Sequence, residues 1–173
     1  MNIEVEFRDA TIDDLELVRY WDTKPHVIAS DPDEYWEWEK ELKSPQPFWR
    51  EQLIAELDGE PIGFLQIIDP YHEETHYWGS VEQNLRALDI WIGEEENLGK
   101  GFGTKMMKLA FERCFNDPKV TAILIDPLIS NTRAITFYER LGFQFLEYRT
   151  FESDECYVMK ITREQYESNS VKG

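Results

Sequence analysis

Three groups of residues in this chain have types and spacing suited to chemistry. The first is a pair of carboxylates that interrupt apolar runs. Asp89 stands inside Leu88-Asp-Ile-Trp-Ile92, and Asp126 ends the run Val120–Ile125. Burying a charge without a partner is costly, so such placements point to a proton acceptor or a seat for a cation. Asp126-Pro127 could equally be a turn starter. The second is Leu98-Gly-Lys-Gly-Phe-Gly-Thr-Lys105. Its alternating glycines allow sharp turns and close approach of the backbone to a ligand. A following helix start would add free N–H groups and the positive end of a dipole, which together make a phosphate cradle. A packing turn rich in glycine is the plain alternative. The loop is not a Walker loop, because Thr104 precedes Lys105 and Met106 follows. Nor is it the dinucleotide fingerprint, since the pattern is G-x-G-x-G and Gly93 to Leu98 separate it from the strand. The third is His72-Glu-Glu-Thr-His76, which matches H-E-x-x-H, a zinc-hydrolase motif when it lies on a helix. Pro70 and Gly79 leave barely two helical turns, and no amphipathic pattern surrounds the motif. It reads as a polar rim loop, and no metal is expected.

The elements that must position these groups follow from periodicity. Ile3 to Arg8 alternates as a strand. Thr11 and Asp14 resemble a capping box before an amphipathic helix marked by Ile12, Leu15, Val18 and Trp21, which Pro25 breaks. Asp31-Pro32 opens a second helix through about Lys43, carrying Tyr35, Trp36 and Trp38. Gln52–Leu57, Asp58-Gly59 and Pro61–Ile68 read as a β-hairpin. Leu88–Ile92 and Val120–Ile125 are compact strands. Phe102–Phe115 and Asn131–Leu141 are helices with apolar stripes, the second stopped by Gly142. Phe143–Thr150 and Cys156–Ile161 pair around an acidic turn, Glu152 to Glu155. The order predicts an α/β domain with a mixed sheet, covering 1–167, and a frayed tail over 168–173.

With 173 residues the chain suits one domain with a substantial core. Its net charge of -17 disfavours nucleic-acid phosphates and anionic membranes and favours a cationic partner. No apolar run approaches the ~20 residues of a membrane span, and Met1–Asp9 carries no apolar signal core. Cys114 and Cys156 form no C-x-x-C pattern and suit a reducing cytoplasm.

Downstream of the glycine loop runs Asn131-Thr-Arg-Ala134-Ile-Thr-Phe-Tyr138-Glu-Arg-Leu-Gly142-Phe143. Together with the loop it resembles the GNAT superfamily of N-acetyltransferases. Gly59-Glu-Pro-Ile-Gly63, Leu98–Lys105, Phe115-Asn-Asp-Pro118, Asp126-Pro127 with Ser130-Asn131, and the spacing of Asp89 are similar to the aminoglycoside 6'-N-acetyltransferases. The first 50 residues match loosely. Leu98 stands where many members of the superfamily carry Gln or Arg.

The resemblance implies a GNAT fold, with a mixed central β-sheet splayed around acetyl-CoA and flanked by helices. It implies direct transfer in a ternary complex to a primary amine of a cationic small molecule, with the 6'-amine of an aminoglycoside as the specific expectation, and hence antibiotic resistance. Backbone groups at Trp91, Ile92 and Gly93 would pair with the pantetheine arm and polarise the thioester. Leu98, Gly99, Lys100, Gly101, Phe102, Gly103 and Thr104 would hold the pyrophosphate, and Asn131 the cofactor arm. Tyr138 would protonate the departing thiolate. Asp89 would be catalytic, although either it or Asp126 could take the amine proton, directly or through water; Asp89, Asp126, Glu73 and Trp78 would contact the acceptor. Alternatives are another amine (a siderophore precursor, a polyamine or a peptide), a coenzyme A-binding module without turnover, and, remotely, a zinc hydrolase.

Overall fold

The computed structural model describes residues 4–32, 36–43 and 45–172, with 170–172 described by backbone only. Chain order is β1 (Val5–Asp9), α1 (Leu15–Trp21), α2 (Pro25–Ser30), α3 (Trp38–Lys43), β2 (Arg50–Leu57), β3 (Glu60–Ile68), β4 (Leu85–Ile92), α4 (Phe102–Phe115), β5 (Ala122–Ile125), α5 (Thr132–Arg140), β6 (Gln144–Phe151), β7 (Asp154–Thr162) and α6 (Arg163–Lys172). The strands form a mixed seven-stranded sheet in the order β1-β2-β3-β4-β5-β7-β6. The α/β mixture expected from the sequence is therefore present.

The chain divides into two compact units, Met1–Ile67 with Asp89–Ala110, and Ile68–Leu88 with Phe111–Gly173. In the first, β1 and β2 are antiparallel with Val5 opposite Leu57 and Asp9 opposite Leu53. The β2–β3 hairpin turns at Asp58 and Gly59, both at positive φ (51° and 81°), which is the geometry that an Asp-Gly pair favours. Because side chains alternate along a strand, each strand offers one set to each face. Ile54 and Phe64, with Trp91 at their edge, pack on Val18, Trp21, Trp38 and Leu42 of α1 and α3. Val5 and Ala55 pack with Met106 of α4 in a separate cluster, with Ile90 and Ile92 of β4 against it. Helices therefore cover both faces of this part of the sheet.

In the second unit β5 pairs parallel with β4 only over Leu85–Ala87, and antiparallel with β7. β6 and β7 form a long antiparallel pair, with an irregularity between Phe145 and Glu147.

Three helix expectations need correction. Pro25 does not merely end the first helix. α1 ends with Asp22 as its cap, and Pro25 opens α2, where a residue without an N–H sits at no cost. The helix expected over Asp31–Lys43 is shorter. Asp31 caps the end of α2, and α3 begins at Trp38; residues 33–35, Tyr35 among them, lie outside the described residues. The tail expected to fray from 168 is helical to Lys172. Thr162 and Gln165 form a reciprocal cap, Thr162 N–H donating to Gln165 Oε1 and Gln165 N–H to Thr162 Oγ1. Tyr166 then stacks on Phe115 at 4.8 Å, and Arg163 donates to the carbonyls of Phe115, Asp117 and Val120.

Candidate active site

Asp89 lies at the end of a row of polar side chains on one face of the first unit. Gln66 Nε2 on β3 donates to Asp89 Oδ2 at 2.9 Å. Gln52 Nε2 on β2 donates to Gln66 Oε1 at 3.0 Å and to Glu41 Oε1 at 3.0 Å. Gln46 Nε2 donates to Gln52 Oε1, and Arg50 Nε to Gln46 Oε1. Gln52 is 1% exposed and Gln66 8%, so these amides are buried and satisfied by one another. Two residues along each strand lies a row of Ile54, Phe64 and Trp91, where Phe64 and Trp91 stack at 4.5 Å.

This setting changes the acidity of Asp89. The protein around it strips water from the carboxyl and pushes it up to about 6. The Gln66 N–H pulls the other way, and the like charges of Asp31 and Glu41 add to the rise. A carboxyl near 6 suits a group that exchanges a proton at neutral pH.

The glycine loop is open. Gly99 and Gly101 have φ of 73° and 83°, and a side-chain carbon at either would meet nothing within 4 Å. Backbone conformation, not crowding, requires glycine there. Leu98 to Gly101 are exposed, and α4 begins at Phe102. Lys105 N–H already bonds Gly101 O, which leaves the N–H groups of the preceding turn as the cradle. The residues present thus fit a pyrophosphate.

The end of β4 is more committed than the sequence indicates. Gly93 N–H donates to Ile62 O at 2.9 Å. The Ile92 carbonyl lies 2.7 Å from His26 Nε2, which must be the protonated nitrogen to serve it. His26, opening α2, is a residue the sequence reading missed, as are Gln52, Gln66 and Glu41. The two glutamines carried a faint signal, since each interrupts an apolar strand as Asp89 does.

In the second unit, Asp126 follows β5 and is half-buried. Asn131 caps α5, its Oδ1 accepting from Ala134 N–H, so its amide donors are what it can offer a ligand. Tyr138 is half-buried against Phe137 and Phe143.

Glu73 and Trp78, expected to contact the acceptor, are both buried and engaged by neighbours within the second unit. Glu73 is 5% exposed, and its carboxylate accepts from Thr75 N–H, Thr75 Oγ1 and Tyr77 N–H, holding its own loop. Trp78 is 2% exposed, set edge-on to Phe151 at 5.0 Å with the Arg149 guanidinium over its ring. The H-E-x-x-H segment is a series of turns with His76 at φ 52°, not a helix, so its histidines do not share a helical face. His72 instead pairs with Asp69 at 2.8 Å. Among the described residues no cluster of three His, Cys, Asp or Glu could hold a metal ion. Among them, too, no helix is long and apolar enough to cross a membrane.

Residues 11–151 match the model of the acetyltransferase (GNAT) domain. The chain is 32% identical to the aminoglycoside N(6')-acetyltransferase type 1 of Klebsiella pneumoniae, over 96% of this chain and 87% of that protein. It is 36% identical to a kanamycin resistance protein of Rhizobium radiobacter, over 55% of this chain and 89% of that one. Its fold superposes on the crystal structure of aminoglycoside acetyltransferase AAC(6')-Ib in complex with coenzyme A and kanamycin. The TM-score is 0.85 at 29% identity, covering 96% of this chain and 99% of the other. The chain belongs to the GNAT acetyltransferase family, and its similarity to aminoglycoside 6'-N-acetyltransferases runs over nearly its whole length.

Proposed function

We propose that this acetyltransferase moves the acetyl group of acetyl-CoA onto the 6'-amine of an aminoglycoside, by direct transfer in a ternary complex. One observation carries the reading: in a GNAT chain similar end to end to such enzymes, a walled carboxylate, Asp89, is poised near neutral pH. The net charge of -17 favours a polycationic acceptor. Acetyl-CoA is an intracellular donor, so the reaction belongs in the cytoplasm.

Asp89 takes a proton from the acceptor ammonium, directly or through one water. The freed amine nitrogen attacks the thioester carbonyl carbon, a C–N bond forms, the C–S bond breaks, and the nitrogen gives up its second proton to solvent, which returns one to Tyr138. Tyr138 gives the departing thiolate its proton; a phenol is neutral at pH 7 and can donate. Gly93 N–H is spent on Ile62 O and the Ile92 carbonyl on His26. The N–H of Ile92, turned by strand alternation to the edge opposite that of Gly93, is therefore the donor we assign to the thioester oxygen. The open turn from Leu98 to Thr104 binds the pyrophosphate through backbone N–H groups, so Leu98 in place of Gln or Arg is no obstacle. The donors of Asn131 serve the cofactor arm. Asp126 serves the acceptor's other ammonium groups. Glu73 and Trp78 act on the acceptor only through the loop they stabilise.

The test is free-thiol release from acetyl-CoA with kanamycin or tobramycin, beside polyamines and short peptides. Turnover with the aminoglycosides, and acetylation mapped to the 6'-nitrogen, is the expected result. Release with only another amine would keep the enzyme class and discard this acceptor. Binding of coenzyme A with no release for any amine would favour a non-catalytic module.

A further inference from the structure

The polar row ending at Asp89 has a direction, and its ends impose it. A glutamine amide can present either its NH2 or its oxygen to a neighbour, so a chain of amides can run either way unless something fixes it. Here both ends are fixed by chemistry. Arg50 can only donate, and its Nε meets Gln46 Oε1 at 2.7 Å. The Glu41 carboxylate can only accept, and its Oε1 meets Gln52 Nε2 at 3.0 Å. With Gln46 Oε1 facing Arg50, Gln46 Nε2 must donate, and it meets Gln52 Oε1 at 3.1 Å. Gln52 then has both Nε2 hydrogens in use, one on Glu41 and one on Gln66 Oε1. Gln66 is left with Nε2 toward Asp89 Oδ2.

We propose that Gln52 is a positioning residue for the transfer reaction: held by Glu41 and Gln46, it turns the Gln66 amide so that an N–H, not the carbonyl oxygen, faces Asp89. This rests on the reading of Asp89 as the base. The consequence is electrostatic. An N–H on the carboxylate favours its charged, proton-accepting form, whereas an amide oxygen in the same place would favour the protonated acid. The charged groups facing Asp89 are Asp31 at the end of α2 and Glu41 on α3, and both raise its affinity for a proton. Gln66 is the group that opposes them. Gln52 lies 14 residues from Gln66 in sequence, and its amide bonds Gln46, Glu41 and Gln66, not Asp89 itself. It acts on the reaction through amide orientation alone.

The experiment follows the Asp89 carboxyl directly, by 13C NMR titration, its signal assigned by its loss in Asp89→Asn. In Gln52→Met the Gln66 amide is free to rotate, and the titration midpoint moves up by about one pH unit. Gln66→Met gives a similar rise, and adding Gln52→Met to it gives no further one, because the effect passes through Gln66. A wild-type midpoint in Gln52→Met, or full addition of the two shifts, overturns the proposal. Unchanged coenzyme A affinity reports an intact fold. If Gln52→Met does not fold, Gln52→Asn, which keeps the amide but withdraws it by one methylene, carries the same test with a smaller rise. The acid limb of kcat/KM is a separate readout. If that limb survives in Asp89→Asn, Asp89 is not the base, while the NMR midpoints still decide the role of Gln52.

Discussion

The Trp21 indole lies flush against Gly93: a side-chain carbon on residue 93 would fall 2.0 Å from Cε2 of the ring. Trp21 is fully buried among Val18, Trp38 and Phe64, so it has little room to retreat. Helix α1 is thereby docked on the chain immediately after β4, next to the strand end assigned to the thioester.

Gly93→Ala forces the indole or the strand end to move. Overpacking of this kind costs about 1–3 kcal/mol. The melting temperature should fall, and KM for acetyl-CoA should rise, because Gly93 N–H also ties the strand end to Ile62. Thermal denaturation and initial rates check this. An unchanged melting temperature would mean that the contact is slack.

Asp89→Asn should trade activity for stability. The carboxyl titrates near 6 in the folded protein against an ordinary 3.8, so between those values the folded state binds more protons than the unfolded one. Stability from this group is therefore full below about pH 4 and is lost as pH rises through 6. At pH 7 the neutral amide removes that burden, roughly 2–3 kcal/mol for a shift of this size. The variant should melt higher than wild type at pH 7, and the gap should close near pH 4. Turnover should fall by about 10²-fold or more, with the acid limb of the rate profile abolished. Melting curves across pH 4–8, set beside rates, test both halves.

How much of this was legible depended on whether a residue's partner lies nearby in sequence. Asp58-Gly59 announces its own turn, and the stripes of α4 and α5 repeat every three or four residues, so those elements could be placed directly. Asp89 stood out because a charge in an apolar strand needs an explanation. Gln52 and Gln66 did not, since a neutral amide in a strand reads as ordinary alternation. Their partners lie 14 and 23 positions away, where only the sheet brings them together. Pro25 reads as a breaker unless one knows that the chain turns to start a helix there. The last helix is polar on all sides, and it forms because Tyr166 and Arg163 dock, a tertiary cause that no periodicity reports.

Asp14 should contribute to acid stability. Burial alone would raise its carboxyl, but the Arg8 guanidinium, bonded through both terminal nitrogens at 2.8 Å, and the Thr11 N–H outweigh that and hold it below the ordinary carboxylate range. A lowered folded pKa gives stability that is present above the unfolded value and lost as pH falls through the folded one. Asp14→Asn should therefore cost about 1–3 kcal/mol at pH 7, and the difference from wild type should shrink on acidification below pH 4. A pH-independent gap would assign the loss to capping geometry instead of charge.

Tyr138→Phe separates chemistry from packing. The ring lies edge-on to Phe143 at 5.7 Å and tilted to Phe137 at 5.4 Å, contacts that phenylalanine preserves. Only the hydroxyl is lost, and with it, on the proposed mechanism, the proton for the departing thiolate. Melting temperature and coenzyme A affinity should stay near wild type while kcat falls by about 10²-fold. Because the defect lies in the breaking of the C–S bond, it should persist at saturating concentrations of both substrates. A kcat equal to wild type, with product release shown not to limit the rate, would move the acid role from Tyr138 to solvent.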